Sequence, residues 1–326
     1  MALSNAPELV TVFGGSGFLG RYVVRALAKR GYNVRVAVRR PDLAGFLQPM
    51  GNVGQIVAVQ ANLRNRESVE RCVAGSDHVV NLVGILFAKG PNTFNAVQLE
   101  GTRAIAEACR SADISMTQAS AIGADSSGES DYARTKGRAE EIVRETIPDA
   151  TIVRPSIIFG PEDDFFNKFA DMARFSPFLP LIGGGTTKFQ PVYVGDVAET
   201  IARAVDGTIE RGRTLELGGP EVLDFRQCLE LMLENISRRR LFLSIPWWAA
   251  KFLGSILSSV PILDPVLTKD QVILLESGDN VVSQEAEKEG RTLSGIGIEP
   301  TTLEAILPTY LIRFRPAGQF TKDMIA

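Results

Sequence analysis

The chain has 326 residues, 45% hydrophobic and 22% charged, and its 35 basic and 38 acidic residues leave a net charge of −3. These proportions fit a folded protein with room for two domains, or for one large domain with an elaborated end. They exclude a disordered tail, a fibrous repeat and a polytopic membrane protein, and the charge gives no support for binding nucleic acid. Three cysteines without a CxxC pair (Cys72, Cys109 and Cys228) and one histidine, His78, indicate neither a disulfide framework nor a metal site, so acid–base chemistry is left to Tyr, Lys, Asp or Glu.

In chain order, Met1 to Glu8 has no basic n-region and no long apolar run, so a cytoplasm-like, reducing compartment is expected, most simply in a bacterium. Leu9 to Phe13 reads as a strand, Arg21 to Lys29 as a helix, and Asn33 to Val38 and Ile56 to Gln60 as further strands. A helix through Val69 to Val73 follows, then a strand over Val79 to Val83, a helix over Gln98 to Cys109 and a strand over Ile114 to Ala119. The series closes with a helix over Tyr132 to Glu145 and a strand at Thr151 to Val153. Strands alternating with helices predict an α/β fold with a doubly wound parallel sheet, because parallel strands need crossover connections. After Gly160-Pro161 the pattern becomes Phe-rich and helical, with sheet-like runs returning near Phe189 to Val194 and Thr214 to Leu217. The expected division is a Rossmann-type nucleotide-binding domain over 1–160, with returning segments near 188–218, and a smaller, mostly helical C-terminal domain over 161–326.

Gly14, Gly17 and Gly20 form a GxxGxxG turn, together with Ser16, Phe18 and Leu19, between the first strand and the first helix. Glycines there let the backbone approach a pyrophosphate and aim helix N–H groups at it. A tight turn that binds nothing is the alternative. The second strand ends at Arg39-Arg40, where an acidic residue would serve the ribose hydroxyl of NAD; two guanidinium groups suit a 2′-phosphate, which favours NADP(H) unless both are only solvated charges. Asn62-Leu63 is placed to meet the adenine, and Val83-Gly84 the crossing point of the cofactor.

Tyr132 and Lys136 form a YxxxK pair, one turn apart on a helix. An ammonium one turn away should lower the phenol pKa toward neutrality and let it exchange a proton with a substrate hydroxyl. Ser120, at the end of the fifth strand, could hold the same oxygen.

With these pieces, Arg154 to Pro161 and Val192 to Val197, the chain resembles an extended or atypical short-chain dehydrogenase/reductase. The resemblance implies that Ser120, Tyr132 and Lys136 occupy the family's catalytic positions, and that Pro155 to Ile158 lie beside the nicotinamide, with Pro155 and Ile158 as binding residues. Two departures stand out. The link from Ser120 to Tyr132 is short, and the fourth strand ends Asn81-Leu82-Val83-Gly84 rather than in small residues. The cofactor site reads as whole and the substrate site as reduced, so the three residues serve either turnover or the positioning of a bound cofactor.

Three later stretches (Phe159 to Phe169; Leu267 to Val272 with Asp279 to Val282; Gly297 to Glu304 running on to Leu311) resemble the nucleotide-binding accessory subunit of respiratory complex I, NADH:ubiquinone oxidoreductase, in its alphaproteobacterial form. That resemblance implies a tightly held NADPH, partners among the other subunits of complex I, a role in assembly and stability near the quinone site, and a peripheral place on the cytoplasmic side of a bacterial inner membrane. An active NADP(H)-dependent reductase, epimerase or dehydratase on a nucleotide-sugar or lipid-like substrate is the other reading. Independently, Arg238 to Arg240 precede Leu241 to Leu263, 23 residues with one charge, Lys251. Pro246 and Pro261 break it as a span. On a helical wheel Lys251, Ser255, Ser258 and Ser259 share one face and Phe252, Leu253, Ile256 and Leu257 the other, with Trp247 and Trp248 at the flank. The segment near 238–260 is therefore expected to pack on the domain's own core, to bind a partner, or to lie on a membrane surface.

Overall fold

The computed structural model describes residues 7–258 and 267–317. The elements run β1 (Leu9–Phe13), α1 (Phe18–Lys29), β2 (Asn33–Val38), β3 (Ile56–Gln60), α2 (Arg66–Val73), β4 (His78–Asn81), α3 (Glu100–Ser111), β5 (Ser115–Ala119), α4 (Asp131–Thr146) and β6 (Thr151–Pro155). They continue with β7 (Ile158–Phe159), α5 (Phe165–Phe175), β8 (Phe178–Ile182), β9 (Lys188–Phe189), β10 (Val192–Tyr193), α6 (Val194–Val205), β11 (Thr214–Leu217), β12 (Leu223–Asp224) and α7 (Phe225–Asn235). The last are β13 (Leu241–Ile245), α8 (Trp247–Ser258), α9 (Lys269–Ser277), α10 (Gln284–Lys288) and α11 (Leu303–Leu311).

Two compact units result, each built from three stretches of chain. The first holds the residues up to Pro155, Gly195–Leu217 and Gln284–Ile298; the second holds Ser156–Val194, Gly218–Ser283 and the residues from Glu299 on. In the first, seven of the described strands form one parallel sheet in the order β11-β6-β5-β4-β1-β2-β3. The reversal between β1 and β4 is the switch point at which open α/β sheets bind ligands. The strands are short apolar runs because both faces of a parallel sheet are covered by helices. α1 turns Val23, Val24, Leu27 and Ala28 inward, and Ile105, Cys109, Met116, Val143 and Ile152 continue a core on helices and strands alike.

The second unit has its own core, where Phe159, Phe166, Leu179, Leu181, Phe225 and Met232 meet Leu307, Tyr310 and Leu311 of α11. Its helices are well capped. Asp224 and Gln227 cap α7 reciprocally at 2.7 and 2.8 Å, and Thr268 and Gln271 cap α9 at 3.1 and 3.0 Å. Tyr310 donates to the buried Asp163 carboxylate, which also accepts the Gly160 N–H at 3.2 Å, tying α11 to the start of α5.

Three elements differ from the pattern read in the sequence. β4 stops at Asn81 because that buried side chain is occupied on both sides. Its amide donates to Gln118 Oε1 at 2.9 Å and Thr102 Oγ1 at 3.2 Å, while its carbonyl accepts the Val83 N–H at 3.1 Å and turns the chain out of the strand. The helix expected from Gln98 begins earlier, as a π-helical turn over Asn95–Leu99 that runs into α3. Leu241–Ile245 is a strand, paired in parallel with β8 from Leu241↔Phe178 to Ile245↔Ile182. Its run of bulky residues ending at Pro246 suits an extended backbone, and the helix starts only after that proline.

Candidate functional site

The glycine turn has the geometry of an anion cradle. Gly14 has φ +78°, a left-handed conformation open to glycine at little cost, and its N–H donates to Ala37 O at 3.2 Å. A Cβ on Gly20 would lie 2.3 Å from Gly14 O and 2.6 Å from Gly15, so this glycine lets α1 close onto the turn. A Cβ on Gly17 would meet only Gly14 O, at 3.3 Å, so this position faces the space a ligand would fill. α1 opens on Gly17 with no side-chain cap and no acidic residue in its first turn, which leaves N–H groups for an anion. Ser16 is half-buried in the turn, while Phe18 and Leu19 begin the helix.

The two arginines after β2 differ. Arg40 is forked onto the Asp42 carboxylate at 2.9 and 2.6 Å. Arg39 is exposed, with no side-chain partner among the described residues, and so is the arginine available to a 2′-phosphate. Asn62 N–H donates to Ser68 Oγ at 3.0 Å and its Oδ1 accepts the Arg64 N–H at 3.1 Å, which shapes the loop after β3. Leu63 packs against Gly101 of α3. Val83 lies over Gly14, and a Cβ on Gly84 would sit 3.4 Å from Lys136 Nζ. The turn, the end of β4 and the lysine are thus in one place.

Lys136 is buried and its ammonium donates to Ala119 O at 3.1 Å, one residue from Ser120. Ser120 N–H bonds Val153 O at 2.7 Å, and its Oγ is buried with no hydrogen bond within 3.5 Å. A buried hydroxyl in that state is open to a ligand oxygen, although the Glu140 carboxyl also lies near enough to be stabilised by it. Burial pushes the Lys136 ammonium down to about 8, with Glu140 opposing the shift. Burial pushes the Tyr132 phenol up to about 12. The expected phenol near neutrality is therefore corrected: desolvation of the ring decides the result, and Tyr132 is a neutral phenol at physiological pH. Phe94 meets its ring edge to face, with centroids 6.2 Å apart.

Pro155 ends β6 and accepts the Ile122 N–H at 3.0 Å. Ile158 belongs to the second unit, paired with Val192. His78 is locked between Thr117 Oγ1 (2.9 Å) and Ser115 Oγ (2.8 Å) and pushed down to about 4 by burial, then by Arg211, so it is a core residue. Sequence reasoning passed over Glu140 and Gln98. Glu140, one turn beyond Lys136, is buried among arginines. Gln98, on the π-helical turn, donates to Ile85 O at 3.0 Å and leaves its Oε1 buried with no partner among the described residues. The four-residue step from Lys136 was the available signal for Glu140; nothing in the sequence marked Gln98.

In the second unit, the basic cluster is largely built into the fold. Arg238 donates to Phe314 O at 3.0 Å and Arg240 to Ala173 O at 2.8 Å, leaving Arg239 exposed. On α8, Lys251 pairs with Glu276 of α9 and Gly254 packs on Thr268 and Lys269, while Ser255 stays exposed. Trp247 sits against Gly183, where no Cβ would fit. Trp248 and Phe252 face outward at 75% and 67% exposure, near in sequence to the exposed Leu241 and Leu243 of β13, which lie opposite Phe178 and Pro180 of β8. Ser259, Pro261 and the rest of the apolar run to Leu263 lie outside the described residues. No described helix is long and apolar enough to cross a membrane.

Residues 10–218 match the NAD dependent epimerase/dehydratase family. The NADH dehydrogenase (ubiquinone) 1 alpha subcomplex subunit 9, mitochondrial, of Arabidopsis thaliana is 35% identical over 321 residues, covering 95% of this chain and 79% of that protein. A ceramide reductase of Caulobacter vibrioides is 32% identical over 224 residues, 69% of this chain and 67% of that protein. An NADPH-dependent quinone oxidoreductase from Escherichia coli, solved with NADPH, shares the fold with a TM-score of 0.70 at 18% identity, over 93% of this chain and 98% of that one.

Proposed function

We propose that this chain, which belongs to the NAD dependent epimerase/dehydratase family and, within it, to the line of complex I subunits named alpha subcomplex subunit 9, is an accessory subunit of membrane-bound NADH:ubiquinone oxidoreductase. It holds NADP(H), in the form of NADPH, as a structural ligand and supports assembly and stability near the quinone site. The observation that carries this reading is the relation to those subunits over 95% of the chain, which takes in the second unit as well as the sheet.

The site supports the same reading. The Gly14–Gly20 cradle, the orphaned Ser120 hydroxyl and the buried Lys136 ammonium fit a nicotinamide nucleotide. Arg39 favours the phosphorylated form. A bound nucleotide would supply hydride chemistry, for which Tyr132, as a neutral phenol, could still give a proton. A ligand present at about a thousand times its dissociation constant adds about 4 kcal/mol to stability. The exposed Trp248, Phe252, Leu241 and Leu243, with Arg239, would serve the other subunits or the membrane surface, which supports a peripheral position; the side is read as the cytoplasmic face of a bacterial inner membrane.

The test is gentle solubilisation of native membranes. The chain should co-migrate with NADH:ubiquinone oxidoreductase activity, NADPH should be recovered from it, and its deletion should lower the amount of intact complex. A wholly soluble monomer whose loss leaves the complex unchanged would refute the proposal. A second reading, reduction of a lipid-like carbonyl, is favoured by the relation to ceramide reductase together with the retained Ser120, Tyr132 and Lys136. Turnover of such a substrate that is lost in Tyr132→Phe would establish it.

A further inference from the structure

Helix α4 carries Tyr132, Lys136, Glu140 and Arg144 at four-residue steps, a single stripe along one face. Glu140 is 1% exposed. Arg154 of β6 grips it through two hydrogen bonds, Nε to Oε1 at 2.9 Å and Nη2 to Oε2 at 2.6 Å, and Arg144 adds a third at 2.7 Å. Arg154 also reaches Glu216, its register partner on β11, at 3.4 Å, while Arg144 reaches Thr214 Oγ1 at 3.2 Å. Two carboxylates and two guanidinium groups thus neutralise one another under the edge of the sheet. Lys136, one turn from the most buried of them, would otherwise be an isolated charge in the core.

We propose that Glu140 is a positioning residue for Lys136: its fixed carboxylate, one helical turn away, keeps the ammonium charged in the buried place where it donates to the Ala119 carbonyl, ready to donate to a ribose hydroxyl of the nucleotide. The last clause rests on the nucleotide-binding reading above. The groups around Lys136 leave the part to Glu140. On α4 the neighbours at one turn are the neutral Tyr132 and the anionic Glu140. The end of β5 offers Ala119 O and the Ser120 hydroxyl, and the loop after β4 offers Gly84, without charge. From β6 comes Arg154, whose guanidinium is committed to Glu140, and behind it on β11 Glu216. Burial pushes the Glu140 carboxyl up, but Arg154, the nearby Ser120 hydroxyl and Arg144 outweigh it and hold the group below its usual range, so it is an anion at neutral pH.

The experiment is the pH titration of the Lys136 ε-carbon by 13C NMR in the full chain, with the resonance assigned through Lys136→Met. The wild-type midpoint should fall near about 8. Glu140→Gln should lower it by about 1–3 pH units. Glu140→Asp, which keeps the charge, should restore most of the difference. Arg144→Met, which removes a neighbour on the far side of Glu140, should not lower it. If Glu140→Gln does not fold, the double variant Glu140→Gln with Arg154→Met is compared with Arg154→Met alone, so that the pair differs only in the anion, and the double variant should titrate lower. A wild-type midpoint near 10.5, an unchanged midpoint in the folded Glu140→Gln variant, or no difference between the double variant and Arg154→Met would overturn the inference. NADPH affinity followed across the same pH range separates the two claims. Its alkaline limb should move with the lysine midpoint, whereas a moving midpoint with no NADPH binding in the wild type supports the role of Glu140 and removes the nucleotide.

Discussion

Replacing Lys136 by methionine should make the protein more stable at pH 7 while removing its nucleotide. A lysine in water titrates near 10.5, and burial brings this one down to about 8. Holding its proton in the fold at pH 7 therefore costs about 3 kcal/mol relative to the unfolded chain. Methionine has similar bulk and no charge to desolvate, though it forgoes the 3.1 Å bond to Ala119 O, a loss of about 1.5–3 kcal/mol for a charged donor set against its own smaller desolvation. The expected net gain is about 0–1.5 kcal/mol. The sign also fixes a pH dependence. Between pH 8 and 10.5 the unfolded lysine binds the proton and the folded one does not, so wild-type stability rises relative to the variant and the variant's advantage shrinks across that window. Urea unfolding of ligand-free protein at pH 7, 8.5 and 10 would measure it. A variant less stable than wild type by more than 1 kcal/mol at pH 7, or a difference that does not change with pH, would refute the reasoning.

Gly20→Ala should lower stability by about 1–3 kcal/mol, since the new Cβ would sit 2.3 Å from Gly14 O, whereas Gly17→Ala should melt near wild type yet bind NADPH at least about tenfold more weakly. Comparable melting of the two variants would contradict that division. Arg39→Ala should weaken NADPH by about tenfold or more and leave NADH unchanged, with Arg40→Ala milder because Asp42 already holds that side chain; calorimetric titration of both nucleotides checks this, and equal losses for the two would sink the NADP(H) preference. Tyr132→Phe should keep nucleotide content and assembly, read by mass spectrometry and native gels, because only a neutral hydroxyl is removed. Trp248→Ser with Phe252→Ser should change stability by no more than about 0.5 kcal/mol but reduce incorporation into the complex or flotation with anionic vesicles; unchanged behaviour in both assays would leave the outward face without a role.

The parallel sheet was legible because β1, β2 and β4 are short buried apolar runs that alternate with helical patterns, although β5 buries Thr117 and Gln118 and the edge strand β3 leaves Val57 exposed. The glycine spacing and the YxxxK step marked their places for the same reason, since few other residues tolerate the geometry. Glu140 was not legible. A glutamate beside an arginine on a helix reads as a solvated pair, and only the approach of Arg154 from β6 makes it a buried anion. The edge of β4 was hidden because Asn81 acts through partners 21 and 37 residues away. Before Pro246, hydropathy left the strand Leu241–Ile245 unseen, whereas the proline itself marked where α8 begins. On α8, Lys251 is paired with Glu276 of α9 while Trp248 and Phe252 remain outside.

The first unit is finished by residues that leave the ribosome late. β1 to β6 are complete once Pro155 is made, but the edge strand β11 comes some 60 residues later, and Arg291, which donates to Thr214 O at 3.1 Å and accepts the Glu216 N–H at 2.9 Å, later still. Until then the sheet has an open edge beside β6, and Arg154 lacks one of its two carboxylates. Open edges invite pairing with other chains. During synthesis the nucleotide-binding half therefore waits on the C-terminal half, although the order of the sequence suggests the reverse. A chain stopped before Thr214 would keep that edge open.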